Sequence, residues 1–221
     1  MAVDGAGVIF VSDASNGLIE VFSPSGTFLR QWSEPAARYI TLDPTGALLA
    51  TYAYGESVFV ERTSDGASVS RFKFRDYNAV EHGSIGIGPN GILYIASEGD
   101  YWVKRFSLDG TFLGQWGGFG SGPGLFSGTI GLTAAPDGSV YVVDGKATVQ
   151  RFDAAGTFLS EFGGGPGSAD GQFRGFSDIA ADAVGSIFIA DPSLARIQKF
   201  GDPATTTRRG SWGGLKMLFR K

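Results

Sequence analysis

The chain has 221 residues, of which 43% are hydrophobic and 18% charged, with 18 Phe. That is enough apolar material to bury a sizeable core in one domain, and it excludes a disordered polymer. Cysteine is absent and His82 is the only histidine, which excludes disulfides, thiolate chemistry and any zinc site built from several imidazoles.

The formal charge is −4, but Lys199, Arg208, Arg209, Lys216, Arg220 and Lys221 all follow residue 198 and face a single acid there, Asp202. The body is therefore acidic and lacks the attraction for polyphosphate behind most nucleic-acid binding. The sequence contains no apolar run long enough for a membrane helix, and Met1-Ala-Val-Asp-Gly5 does not read as a signal segment. An extracellular or periplasmic location would require a signal upstream of these residues.

In chain order, the first pattern is a turn followed by an apolar run: Asp4-Gly-Ala-Gly7 before VIFVSD, Asp43-Pro-Thr-Gly46 before ALLATY, Gly88-Pro-Asn-Gly91 before ILYIAS, Ala135-Pro-Asp-Gly138 before SVYVVD, and Asp182-Ala-Val-Gly185 before SIFIAD. Their last glycines are 39, 45, 47 and 47 residues apart. A second ladder interleaves with the first: Phe22-Ser-Pro-Ser-Gly-Thr-Phe-Leu-Arg-Gln-Trp32, Phe106-Ser-Leu-Asp-Gly-Thr-Phe-Leu-Gly-Gln-Trp116 and Phe152-Asp-Ala-Ala-Gly-Thr-Phe-Leu-Ser-Glu-Phe162. Each unit thus reads as four short β-runs joined by tight turns, and helical periodicity is absent before Leu215–Phe219. Repeats of about 40–50 residues built as four-stranded meanders predict an all-β propeller with five four-stranded blades over 1–204, followed by a basic and apolar tail, 205–221. Arg208–Trp212 is a candidate outer strand of the fifth blade.

Ile179–Phe200, together with Asp109–Gly117 and Gly167–Phe173, resembles the NHL repeat. The resemblance covers about residues 3–200 and implies a β-propeller, usually of six blades. Two expectations follow: a closed five-bladed ring, which would be a monomer, or an incomplete six-bladed ring lacking an N-terminal piece. The family includes protein-binding modules, RNA-binding modules, sensors and a few lyases, so the resemblance implies fold more firmly than activity.

In such a fold the tight glycine turns share one face and the longer loops share the other. The long-loop face is rich in aromatic and acidic residues, and Tyr and Trp at a rim suit protein or peptide partners. Candidate binding residues are Arg38, Tyr39, Tyr52, Tyr54, Tyr101, Trp102 and Lys146. Asp13, Asp144 and Asp191 end equivalent runs and are expected to accept nearby backbone N–H bonds, with calcium held between convergent carboxylates as the alternative. Gly117–Gly124 and Gly163–Gln172 lack the strand, helix and Lys-Ser/Thr context of a phosphate loop and read as links between blades. The preferred function is a non-enzymatic scaffold for a protein or peptide. The alternative is a lyase or lactonase using a divalent cation on loop carboxylates.

Overall fold

A computed structural model describes residues 1–34, 37–43, 46–52, 57–62, 67–73, 83–97, 101–176, 178–201 and 216–219. They form an all-β propeller of four-stranded antiparallel sheets, each a simple meander. The first sheet is β1 (Ala2–Val3), β2 (Ile9–Asp13), β3 (Leu18–Phe22) and β4 (Phe28–Ser33). The second is β5 (Ala37–Leu42), β6 (Ala47–Tyr52), β7 (Ser57–Arg62) and β8 (Ser68–Lys73), and the third is β9 (Gly83–Ile87), β10 (Leu93–Ser97), β11 (Trp102–Phe106) and β12 (Phe112–Gly117). The fourth is β13 (Thr129–Ala134), β14 (Val140–Asp144), β15 (Thr148–Phe152) and β16 (Phe158–Phe162). The fifth is β17 (Asp178–Ala181), β18 (Ile187–Asp191), β19 (Arg196–Phe200) and β20 (Lys216–Phe219).

The two turn ladders fold alike. In the first, the Asp4 amide donates to Val8 O and Gly7 N to Asp4 O, and the same pair of bonds recurs at Gly88–Ile92, Ala135–Ser139 and Asp182–Ser186. In the second they recur at Ser23–Thr27, Ser107–Thr111 and Asp153–Thr157. Each turn ends on a left-handed residue, such as Gly91 at φ 72° and Gly156 at φ 93°, which glycine adopts without steric cost. Across the second ladder a β-bulge brings paired phenylalanines together: Phe22 meets Phe28 at 5.8 Å between ring centroids, Phe106 meets Phe112 at 5.5 Å, and Phe152 meets Phe158 at 6.0 Å. Bulge and ring pair together fix the register and twist of the outer strand.

The core lies between sheets. Phe10, Ile19 and Val21 of the first sheet pack with Ile40 of the second. Tyr94, Val103 and Trp116 of the third pack with Leu132, Val140 and Phe152 of the fourth, and Tyr141, Val143 and Val149 of the fourth pack with Ile179, Ile187 and Phe200 of the fifth. β14 is buried at all five positions, because it is covered on both faces. Burying one such side chain stabilises by about 1.5–3 kcal/mol, so a sheet gains most from the sheets packed beside it.

The C-terminal residues differ from the expected layout. Lys216–Phe219 is neither helical nor a free tail: it is the fourth strand of the fifth sheet, with Met217 opposite Gln198. Arg208–Trp212, the expected outer strand, lies outside the described residues. No helix among the described residues is long and apolar enough to cross a membrane.

Candidate binding face

The links between sheets are built to one plan. In the link leading into the fourth sheet, Phe126 is fully buried, its amide donates to Gly118 O, and Gly120 N donates to Phe126 O. In the link leading into the fifth, Phe173 is fully buried, its amide donates to Gly165 O, and Gly167 N donates to Phe173 O. The glycine-rich segments are therefore inter-sheet links, as their sequence context suggests. Close approach explains the glycines, since a Cβ at Gly117 would stand 2.5 Å from Tyr101 O and one at Gly120 would stand 2.6 Å from Leu125 Cδ1.

Each link is gripped by the sheet it enters. Gln150, buried on β15, accepts from Gly124 N at 2.8 Å and donates to Leu125 O at 2.7 Å. Gln198, buried on β19, accepts from Gly171 N at 2.9 Å and donates to Gln172 O at 2.8 Å. Asp144 Oδ1 accepts from the amide and hydroxyl of Ser127, and Asp191 accepts from Arg174 N and Leu194 N. Asp13 accepts from Ser15 N and Asn16 N in its own turn, and those bonds, with one from the Asn16 side chain, hold its carboxyl below the usual range. The three carboxylates thus bond backbone amides, two of them from the preceding link and not only the following turn. Among the described residues no group of three or more acidic or histidine side chains could hold a metal ion.

Three of the candidate residues meet on the link into the fourth sheet. Tyr101 stacks edge-on against Phe119 with ring centroids 5.1 Å apart. Trp102 lies beside Gly118, where an added Cβ would stand 3.7 Å from both its ring and Leu125 Cδ2. Lys146 donates to Ser121 O at 3.0 Å and pairs with the buried Asp144 Oδ2 at 3.0 Å, so its charge serves to neutralise that carboxylate. Phe119, which the sequence places among the aromatic residues of the long-loop face though not among the candidate binding residues, is 74% exposed and forms the outermost part of the patch. Its signal was its place in the link Gly117–Thr129, which the sequence already assigns to that face.

Tyr101 also has an unusual backbone. In the first, third, fourth and fifth sheets the residue just before the third strand is left-handed: Gly17 at φ 65°, Tyr101 at φ 62°, Ala147 at φ 63° and Ala195 at φ 48°. Glycine or alanine fits that position with modest strain, whereas a bulky ring there is a true outlier. The remaining candidates do not join this patch. Tyr39 is half-buried and packs between sheets against the cluster of Ile85, Leu93, Ile95 and Phe106. Tyr54 and His82 lie outside the described residues, as do the side chains of Arg38 and Tyr52.

No protein-family model matches the chain, and no curated protein matches it. Solved structures do share its fold. A catalytically inactive virginiamycin B lyase from Staphylococcus aureus, crystallised with quinupristin, matches over 89% of this chain and 64% of its own at 17% identity, with a TM-score of 0.65. A streptogramin B lyase matches over 98% of this chain and 66% of its own at 13% identity and TM-score 0.68. A Bacteroides thetaiotaomicron protein of unknown function matches over 90% and 57% at 15% identity and TM-score 0.74. The chain therefore spans about two thirds or less of the length of these neighbours, and at such identities the likeness shows the fold alone.

Proposed function

We propose that the chain is a non-enzymatic propeller scaffold of the NHL type that takes a protein or peptide on its long-loop face, with Tyr101, Trp102 and Phe119 as the anchors. The observation that carries this reading is the display of Tyr101. Where the equivalent positions hold Gly17, Ala147 and Ala195, this sheet carries a large ring in a left-handed backbone and stacks it on an exposed Phe119. Strain of about 1–3 kcal/mol at one position, spent on a half-buried ring that stacks on an exposed one, is the kind of local cost found at binding sites. Rigid aromatic anchors contribute contact area at small entropic loss.

Panning a displayed peptide library against the protein tests it. The expected result is enrichment of peptides whose affinity falls tenfold or more on Phe119→Ala or Trp102→Ala. Enriched peptides indifferent to both substitutions, or no enrichment at all, overturn it.

A second reading, a lyase or lactonase with a divalent cation on loop carboxylates, is supported only by the fold shared with streptogramin B lyases. Incubation with quinupristin and a divalent cation, followed by mass spectrometry, separates the two: turnover supports the enzyme, and intact substrate supports the scaffold.

A further inference from the structure

The chain holds three asparagines, and two of them precede glycine, in Asn16-Gly17-Leu18 and Asn90-Gly91-Ile92. Both of these asparagines are exposed, and both glycines end a tight connection at positive φ, Gly17 at 65° and Gly91 at 72°. The local sequences are matched, so what separates the two pairs is where each glycine amide goes.

Gly91 N donates to Gly88 O at 3.0 Å and closes the turn between β9 and β10. Gly17 lies in the connection between β2 and β3. Its counterparts in the fourth and fifth sheets, Ala147 and Ala195, donate their amides to Asp144 O at 3.0 Å and Pro192 O at 3.1 Å. Among the described residues no acceptor takes the Gly17 amide. The connection is held instead through Asp13, whose Oδ1 accepts from Ser15 N and Asn16 N and whose Oδ2 accepts from Asn16 Nδ2 at 2.7 Å.

We propose that Asn16 is a site of spontaneous deamidation. The Gly17 nitrogen, having given its proton to solvent base, attacks Asn16 Cγ. The new N–C bond closes a succinimide as the Cγ–Nδ2 bond breaks, and Nδ2 leaves as ammonia after taking a proton from water. Water then opens the ring at one of its two carbonyls and gives aspartate or the β-linked isoaspartate, so the sum is asparagine and water to acid and ammonia. An amide N–H held by a carbonyl is harder to deprotonate and is fixed in place, which protects Asn90. At Asn16 only the bond to Asp13 has to open, and its loss leaves β2 paired with β3.

The product changes its surroundings. A carboxylate at position 16 no longer donates to Asp13 Oδ2 and stands beside it as a like charge. In the β-linked form the main chain gains a carbon just before Gly17, whose carbonyl accepts from Glu34 N at 2.8 Å and ties the first sheet to the link into the second. Conversion loosens that tie.

The test incubates the intact folded chain at mildly alkaline pH and follows both pairs by peptide mapping with mass spectrometry, with isoaspartate methyltransferase as an independent label. The expected result is conversion of Asn16 at least fivefold faster than that of Asn90. In guanidinium chloride, where neither amide is held, the two rates come within twofold of each other. Gly17→Ala slows conversion of Asn16 at least fivefold, because the new Cβ crowds the attacking nitrogen. Ala147 at φ 63° and Ala195 at φ 48° occupy the equivalent position, so the backbone there accepts alanine and the variant folds. Hydrogen exchange at Glu34 is faster in the converted chain than in the fresh one. Equal rates at the two pairs in the folded chain, faster conversion of Asn90, or an Asn16 that stays intact while the unfolded chain converts overturns the proposal. Phe119→Ala leaves the rate at Asn16 unchanged, so this site and the peptide-binding reading can fail separately.

Discussion

Gln150, wholly buried on β15, accepts a hydrogen bond from the amide of Gly124, 26 residues earlier in the chain, at 2.8 Å. Its other end donates to Leu125 O, so one side chain satisfies two backbone groups of the link that carries Phe119. Gln150→Leu removes both partners at once and leaves a part-buried N–H and C=O without them, at up to about 1–3 kcal/mol each. Denaturant unfolding is expected to show a loss of roughly 1–3 kcal/mol. The same substitution should loosen the link, raising hydrogen exchange at Gly120 and Phe126 more than at β10.

Gly156 faces Trp116 from the neighbouring sheet so closely that a Cβ would stand 2.5 Å from indole Cε3. Gly156 also sits at φ 93°, so Gly156→Ala combines strain with overlap. Gly26, the corresponding residue of the first sheet, has φ 81° with nothing within 4 Å of an added Cβ. Gly26→Ala should cost about 1 kcal/mol from backbone strain alone, and Gly156→Ala at least twice that. Equal thermal midpoints for the two variants would contradict the packing described.

At Tyr101 the backbone term can be isolated by comparing two truncations. Tyr101→Ala and Tyr101→Gly both remove the ring, but only glycine relaxes at φ 62°. The glycine variant should be the more stable by about 1 kcal/mol, a reversal of the usual order in regular structure. Chemical denaturation of the pair measures it.

The turn at Asp109 makes stability sensitive to acid. The Ser107 hydroxyl, and then the Thr111 amide and hydroxyl, hold the Asp109 carboxyl at about 2. A carboxylate whose folded pKa lies below its unfolded value stabilises fully above the unfolded value, near pH 4, and loses that contribution as pH falls through the folded value. The stability difference between the native chain and Asp109→Asn is therefore expected to be constant above about pH 4 and to shrink towards pH 2, as followed by urea midpoints.

At the alkaline end the sign is reversed. Burial raises the Tyr141 hydroxyl to about 12 although the Arg151 guanidinium nearby works against it, and burial raises Tyr94 as well. These phenols stabilise fully below about pH 10, and Tyr141 gives up its contribution as pH rises through 12. Spectrophotometric titration should show Tyr94 and Tyr141 titrating late and falling back to the ordinary range on unfolding, with one late tyrosine fewer in Tyr141→Phe.

Much of the architecture was legible because its signals are local. A glycine needed at positive φ, an Asp or Ser that bonds the turn amides, and an apolar run beside them recur at fixed spacing, so the sheets and their order follow from residues such as Asp4, Gly7, Asp182 and Gly185. What depends on distant neighbours was less accessible. Tyr39 looks like a loop aromatic, yet the adjoining sheet covers it. Phe119 looks like the other phenylalanines until the glycines around it are seen to lift it out of the core. Lys216–Phe219 joins β19 across an intervening segment, so no short-range turn announces it.

The grip of Gln150 and Gln198 on the chain preceding their own sheets places the module boundary upstream of the innermost strand. A unit excised from Thr129 to Phe162 would carry the amide that clamps but leave behind Gly124 and Leu125, the groups it clamps. Cut instead just after Trp116, the piece contains both halves of its fastening, and that frame is the one in which repeats of this kind can be duplicated, transplanted or permuted with their wiring complete.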